Sequence, residues 1–127
     1  MKVTSIQDLQ KYIIKELQDT NAIYAVRIPT RFKHIVGRSF PPTPPGIPSD
    51  KWINKMQKIH HLDDIHGTVF GFITPDYLSP LLVIGPHFHF ITDDHKRVFH
   101  LYDFEFDKAT VQIMKVKKLA LNTDLLE

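Results

Sequence analysis

The most informative stretch of this sequence is GPHFHFITDDHKRVFH, residues 85–100. Its first half alternates histidine with large apolar residues, the period-two pattern of a β-strand whose two faces differ. A polar, turn-forming segment, DDHK, separates it from a second alternating run. A two- or four-residue turn would pair Thr92 with Arg97 and place His89 opposite His100. The stretch therefore predicts a β-hairpin of defined register.

Three histidines share one face of this predicted hairpin. Directly opposed side chains have Cβ atoms about 4.5–5.5 Å apart, and His87 points to the same face as His89 because strand side chains alternate. Three neutral imidazoles at that spacing can hold a divalent transition metal and leave a coordination position open, as in catalytic sites. The alternative is that His87, His89 and His100 are half-buried polar residues satisfied by their neighbours. His95 lies in the turn, where solvation is the simpler interpretation.

Length and composition indicate one globular domain. The chain has 127 residues and a formal net charge of +2 with histidine neutral, so we expect residues 1–127 to form a single domain. Lysine and arginine are scattered and form no stripe, which argues against nucleic acid as a partner. There is no cysteine, which excludes disulfides and thiolate metal sites. No apolar run reaches membrane-spanning length and residues 1–20 lack the apolar core of a signal peptide, so we expect no membrane association and a cytoplasmic location.

The first part of the chain is predicted to form a helix and two strands. Residues 5–19 carry apolar side chains at helical spacing, which predicts an amphipathic helix. Residues 22–28 and 32–40 are β-rich runs on either side of Pro29, and we expect them to form a hairpin. Residues 41–48 are rich in proline and are expected to be an extended connector.

The rest of the chain is predicted to be mostly strand. Ser49 is expected to cap a short helix. Residues 60–66 contain three histidines and two aspartates but show no regular ligand spacing, so a polar loop is predicted there. Strands are expected at residues 67–74 and 108–114. The predicted fold class is therefore α+β, with an antiparallel or mixed, curled or barrel-like sheet of about six strands and two helices packed on it.

Several segments resemble the α-acetolactate decarboxylases in their order and spacing. They are residues 21–28, 37–39, 67–72, 87–94 and 100–104, which read NAIYAVRI, GRS, GTVFGF, HFHFITDD and HLYDF. The specific part is the three-histidine pattern with its flanking residues. The resemblance covers roughly residues 5–113 and corresponds to the later half of the family's longer chain.

This resemblance implies a metal-dependent decarboxylase. In the family three histidines bind a catalytic zinc, and they correspond to His87, His89 and His100 here. An active-site arginine that interacts with the substrate corresponds to Arg38. The family converts 2-acetolactate, a small 2-hydroxy-3-oxo acid, into acetoin and CO₂. The resemblance thus implies Zn²⁺, or another divalent transition metal, as a Lewis acid on the ketone and hydroxyl oxygens of the substrate.

The family also has an active-site glutamate in its earlier half and a second acidic site residue near its C-terminus. Either another chain supplies these groups, or this chain binds a metal and a small ligand without the original activity or with an altered substrate. Asp103, Glu105 and Glu127 are the candidate carboxylates within this sequence. Because missing sheet partners would leave exposed edges and apolar surface, we expect a homo-oligomer.

Overall fold

The computed structural model describes residues 2–17, 21–79, 82 and 84–120. Its elements in chain order are α1 (Ile6–Leu17), β1 (Tyr24–Ser39), α2 (Ser49–Met56), β2 (Lys58–Thr74), β3 (Gly85–Thr92), β4 (Val98–Glu105) and β5 (Gln112–Lys115), with one 3₁₀ turn at Asp76–Leu78. All strand pairs are antiparallel. The predicted α+β class is confirmed, although the described residues form a five-stranded sheet rather than one of about six strands. In the same ranges, no helix combines the length and hydrophobicity needed to cross a membrane.

Four strands close into a ring. The sheet order is β2-β3-β4-β1-β5, and β2 also pairs with β1. One side of β1 follows β2 along its whole length, while the other side pairs first with β5 and then with β4. Strand β5 therefore lies outside the ring and forms the free edge of the described sheet.

β1 runs without a break through Pro29, so the predicted hairpin between its two halves is wrong. Pro29 lies opposite Thr68 of β2. On the other side of β1, the pairing with β5 ends at Arg27 and the pairing with β4 begins at His34. Proline has no N–H group to donate, so a strand tolerates it at a position where one side of the strand forms no hydrogen bonds to a neighbouring strand. Pro29 occupies such a gap among the described strand pairs.

The predicted polar loop at residues 60–66 is also wrong, because this segment is the first half of β2. It pairs with the second half of β1, and His34 lies opposite Asp63. Leu62 and Ile65 both pack against the core, yet they are three residues apart. The left-handed backbone at Asp64, with a φ of 53°, accompanies this break in alternation. The alternation of polar and apolar residues that is typical of a strand is therefore interrupted in this segment.

Aromatic side chains fill the interior of the ring. Phe32 is fully buried and makes edge-to-face contacts with Phe90, Phe104 and Phe106, at centroid separations of 5.5, 5.9 and 5.9 Å. Such edge-to-face contacts stabilise the core by more than the burial of apolar area alone provides. Helix α1 adds its buried apolar stripe to this core, whereas α2 has no fully buried residue. The core takes the inward side chains of β3 and β4, which leaves their other face for polar residues.

Candidate metal centre

The hairpin at residues 85–100 has the register predicted from the sequence. His89 lies opposite His100, and the ladder continues to Ile91 and Val98. The Thr92 N–H donates to the Arg97 carbonyl at 3.0 Å, which closes a four-residue turn. This register brings side chains from both strands to one face of the sheet, and the prediction is confirmed.

His87, His89 and His100 converge on that face. One ligand atom from each lies within 4.8 Å of the others. The ring centroids are 5.2 Å apart for His87 and His89, 4.9 Å for His87 and His100, and 5.3 Å for His89 and His100. In the part of the chain that the structure describes, these three histidines form the one such group of possible metal ligands.

Cross-strand pairing sets the surroundings of the histidines. Phe72 lies opposite His87 and Phe70 opposite His89 in the pairing of β2 with β3. The Phe70 and His89 rings stack at 5.9 Å with an angle of 26°. Directly opposed residues share a face of the sheet. The three imidazoles are therefore bordered by aromatic side chains as well as by one another.

Arg38 lies at the other flank of the site. It is half-buried near the end of β1 and opposes His100 across the pairing with β4. The guanidinium carbon is 5.3 Å from the centroid of the Tyr102 ring and 5.7 Å from that of Phe40. A cation at such distances is attracted to the face of an aromatic ring. The structure thus brings the arginine and the three histidines predicted from the sequence into one place.

Two histidines of the cluster have lowered pKa values. Burial lowers the pKa of His89, and charge on His87 adds to this effect. The pKa of His100 falls from 6.5 to about 4, first because of burial and then because of the positive charges of Arg38, His87 and His89. Both shifts favour the neutral imidazole at neutral pH, which is the form that binds a metal.

The residues fit a divalent transition metal. Zinc–nitrogen bonds of about 2.0–2.1 Å place two ligands of one ion about 3–4 Å apart, and the ligand atoms here lie within 4.8 Å of one another. Imidazole nitrogen suits zinc and the neighbouring transition metals. Three protein ligands leave a coordination position for water or substrate, which is typical of catalytic zinc sites.

Two of the three candidate carboxylates, Asp103 and Glu105, do not join the cluster. Asp103 accepts hydrogen bonds from the Ile6 N–H at 2.8 Å and the Phe104 N–H at 2.9 Å, next to the start of α1. Glu105 lies opposite His34 in the strand pairing. Glu127 lies outside the described residues. Within the described ranges, no aspartate or glutamate belongs to the group of possible ligands.

Sequence reasoning missed the residues that surround Arg38. Tyr102 accepts a hydrogen bond from Arg38 Nη1 at 3.2 Å, and Phe40 contributes the second ring. Tyr102 follows His100 by two residues, so the strand period could have placed it on the same face. Phe40 follows Arg38 by two residues in the predicted strand at residues 32–40, so the same period could have placed its ring beside Arg38.

An apolar cavity opens beside His87. Its volume is about 390 Å³. Its lining combines the imidazole with mostly apolar side chains, namely Ile23, Phe72, Thr74, Leu82, Val116 and Leu119. The cavity can therefore take small alkyl groups of a ligand whose polar end lies at the histidines.

Comparison with known proteins agrees with the resemblance seen in the sequence. The model of the family described as alpha-acetolactate decarboxylase matches residues 1–125. The chain is 37% identical over 106 residues to an alpha-acetolactate decarboxylase of Bacillus licheniformis, across 83% of this chain and 41% of that protein. Its identity to the Brevibacillus brevis protein of that name is 32% over 117 residues, across 90% of this chain and 41% of that protein.

Solved structures show the same fold. The chain matches the crystal structure of alpha-acetolactate decarboxylase from Bacillus subtilis strain 168 with a TM-score of 0.81 and 31% identity, over 91% of this chain and 51% of that one. It matches a Staphylococcus aureus protein of unknown function, described as similar to alpha-acetolactate decarboxylase, with a TM-score of 0.84 and 29% identity, over 92% and 50%. The chain thus spans about half, or less, of the length of these relatives.

Proposed function

Because the chain belongs to the alpha-acetolactate decarboxylase family, we propose that it converts 2-acetolactate into acetoin and CO₂. We propose zinc as the metal, held by His87, His89 and His100, with Arg38 as the substrate-binding cation. The observation that carries this proposal is the convergence of three imidazoles beside one guanidinium, with ligand atoms of the histidines within 4.8 Å of one another.

The reaction breaks the bond between the carboxylate carbon and the hydroxyl-bearing carbon of 2-acetolactate. The electron pair of that bond moves toward the neighbouring ketone, CO₂ leaves, and uptake of one proton gives acetoin. A divalent metal at the three histidines supplies Lewis acidity to the ketone and hydroxyl oxygens of the substrate. Charge stabilised only as the bond breaks lowers the barrier rather than merely tightening binding.

Arg38 binds and orients the substrate in this proposal. A guanidinium remains charged at all physiological pH values and matches the geometry of a carboxylate. Its position opposite His100 sets the carboxylate of the substrate next to the histidines. Fixing the carboxylate there aligns the bond to be broken with the adjacent ketone, which contributes through orientation.

The histidines and their surroundings hold the other end of the substrate. The lowered pKa values of His89 and His100 favour the neutral rings near neutral pH, each of which has one unprotonated nitrogen that can bind a metal. The apolar cavity beside His87 accepts the methyl groups of the substrate and excludes water from them. A small 2-hydroxy-3-oxo acid satisfies both regions at once.

The test is acetoin formation from racemic 2-acetolactate by zinc-loaded protein, with a blank that contains zinc but no protein. We expect acetoin well above the blank and a loss of about 100-fold or more in Arg38→Ala, because the charge-assisted contact of the guanidinium to the substrate carboxylate is removed. Acetoin at the blank level from protein that holds one zinc per chain would overturn the proposed activity.

A second candidate function is a metal-dependent module that binds a small ligand without decarboxylating it. The observation in its favour is that no carboxylate of the described residues belongs to the histidine cluster. Proton transfer then lacks an obvious acidic side chain at the site. Tight binding of a 2-hydroxy acid together with an absence of acetoin would support this second function over the first.

We further propose that two copies of the chain associate through the face that carries the histidines. Met114, Ala25, Phe72 and His87 form one row across β5, β1, β2 and β3. Phe72 is 51% exposed and Met114 65%. Exposed apolar side chains that lie together on one face of a sheet are typical of a surface that another protein covers. A second copy is the proposed occupant because a twofold interface lets the same exposed apolar row on each chain cover the other, which would bury Phe72 and Met114 of both.

A further inference from the structure

A directed chain of hydrogen bonds leads away from Arg38. Arg38 Nη1 donates to the Tyr102 hydroxyl oxygen at 3.2 Å, and that hydroxyl donates to Gln57 Oε1 at 3.0 Å. The hydroxyl of Tyr102 thus acts as acceptor toward Arg38 and as donor toward Gln57. Gln57 is the residue that follows α2, and its N–H group closes the helix on the Ile53 carbonyl. The guanidinium is therefore connected to the junction between α2 and β2.

The strand pairing places Tyr102 within hydrogen-bonding distance of Arg38. Val36 opposes Asp103 and Gly37 opposes Leu101, so Tyr102 is the extra residue of a bulge in β4. A bulge breaks the regular ladder and redirects a side chain, and bulges are frequent next to active sites. The pair formed by Arg38 and His100 lies immediately next to this bulge, so the bulge borders the candidate site.

The orientation of the guanidinium is held chiefly from one side. The rings of Tyr102 and Phe40 lie 5.3 and 5.7 Å from its carbon. Arg38 Nε is buried and has no hydrogen-bond partner among the described residues. An unsatisfied buried donor opposes this orientation, so the contacts to Tyr102 and Phe40 must maintain it.

We infer that Tyr102, supported by Gln57, is a positioning residue that fixes the Arg38 guanidinium toward the histidine cluster. This inference rests on the proposed function for its catalytic consequence. The arrangement itself, however, can be tested without catalysis. Tyr102 acts through Arg38, so its effect must disappear when Arg38 is absent.

The catalytic test compares Tyr102→Phe with Tyr77→Phe in zinc-loaded protein. Tyr102→Phe keeps the ring but removes both hydrogen bonds, and we expect kcat/KM for acetoin formation to fall about tenfold with zinc stoichiometry unchanged. For Gln57→Ala we expect kcat/KM to fall about threefold, since this change leaves the hydrogen bond between Arg38 and Tyr102 in place. Tyr77, whose hydroxyl donates to the Asn21 carbonyl and takes no part in the chain of hydrogen bonds from Arg38, provides the matched control with wild-type kinetics.

A double-mutant cycle separates positioning from any direct role. In an Arg38→Ala background, Tyr102→Phe is expected to change kcat/KM less than about twofold. A full tenfold effect in that background would overturn the inference. So would wild-type kinetics for Tyr102→Phe in protein that makes acetoin.

A spectroscopic arm keeps the inference testable if the protein makes no acetoin. In metal-free protein labelled with ¹⁵N-arginine, the buried Nε–H of Arg38 should give a distinct signal that exchanges slowly with water. Tyr102→Phe should broaden this signal or move it toward the position of solvent-exposed arginines, and Tyr77→Phe should leave it unchanged. An unchanged signal in folded Tyr102→Phe would overturn the inference whatever the activity, whereas a missing activity with a lost signal would contradict only the proposed function.

Discussion

His89 on β3 and His100 on β4 face each other across the hairpin, with ring centroids 5.3 Å apart and ring planes at 86°. The backbone ladder between these residues fixes the separation of two proposed metal ligands before any metal binds. The third proposed ligand, His87, comes from the same strand as His89. Because the backbone preorganises all three side chains, little reorganisation should accompany metal binding.

Loss of one ligand should abolish tight metal binding. His89→Ala is expected to weaken zinc binding by a factor on the order of 100 or more, since even loss of a residue that only hydrogen-bonds to a metal ligand costs about 10- to 100-fold. His95→Asn is the control, because His95 lies in the turn with a φ of 60° that asparagine tolerates. Zinc per chain, measured after dialysis of untagged protein, checks this prediction. Stoichiometric zinc in His89→Ala would show that these histidines are not the ligands.

The stability of the metal-free protein should fall as the pH decreases from about 6.5 to about 4. The pKa of His100 is lowered from 6.5 to about 4 in the folded chain, where Arg38, His87 and His89 face it, so the unfolded chain binds more protons across this range. Stability is then fully present above the unfolded pKa and is lost as the pH falls toward the folded one. His89 acts in the same direction.

Urea unfolding in the presence of a chelator measures this effect. We expect a loss of about 2 kcal/mol in the free energy of unfolding across the range, after allowance for the partial exposure of His100. His100→Asn should flatten the dependence, while His95→Asn should preserve it. A free energy that rises on acidification would contradict the stated cause of the shift.

The ring interior should be far more sensitive to truncation than the outer face. Val69 of β2 is fully buried and Val98 of β4 is 51% exposed, so the same substitution can be compared at both positions. Val69→Ala should lower the free energy of unfolding by about 2 kcal/mol through lost burial and a residual cavity. Val98→Ala should change it by less than about 0.5 kcal/mol. Equal losses in urea unfolding would mean that the ring interior is not the core.

Self-association should depend on the apolar row that includes Phe72. Phe72→Glu places a charge in the proposed contact and should yield a monomer, because an unpaired buried charge strongly opposes association. Tyr77→Glu changes a residue that is 66% exposed on the 3₁₀ turn and should leave the assembly intact. Sedimentation equilibrium over a range of concentrations distinguishes the two. A wild-type chain that remains monomeric at every concentration would refute the proposed interface.

The hairpin was predictable because its signals are local. Alternation in residues 85–100 and one polar turn specify both the faces and the register, and the structure has the expected pairing of His89 with His100. The resemblance to a known family pointed to Arg38, which is distant in sequence. Its place opposite His100 results from the pairing of β1 with β4, which no local pattern encodes.

The wrong predictions came from residues whose local preference is overridden by long-range pairing. Pro29 normally interrupts a strand, but the gap between β5 and β4 tolerates it. Asp64 disrupts alternation in the first half of β2, so a long strand resembled a polar loop. Asp103 was a candidate site carboxylate, yet its side chain accepts a hydrogen bond from the Ile6 N–H at the start of α1. Each outcome depends on an element far along the chain.

The measurement that we would make first is acetoin formation during a zinc titration of chelator-treated protein. We expect the rate to rise in proportion to added zinc up to one equivalent per chain and then to remain constant, with no such rise in His89→Ala. Acetoin production that is independent of bound metal, or a full rate in His89→Ala, would contradict the assignment of His87, His89 and His100 as a catalytic metal centre.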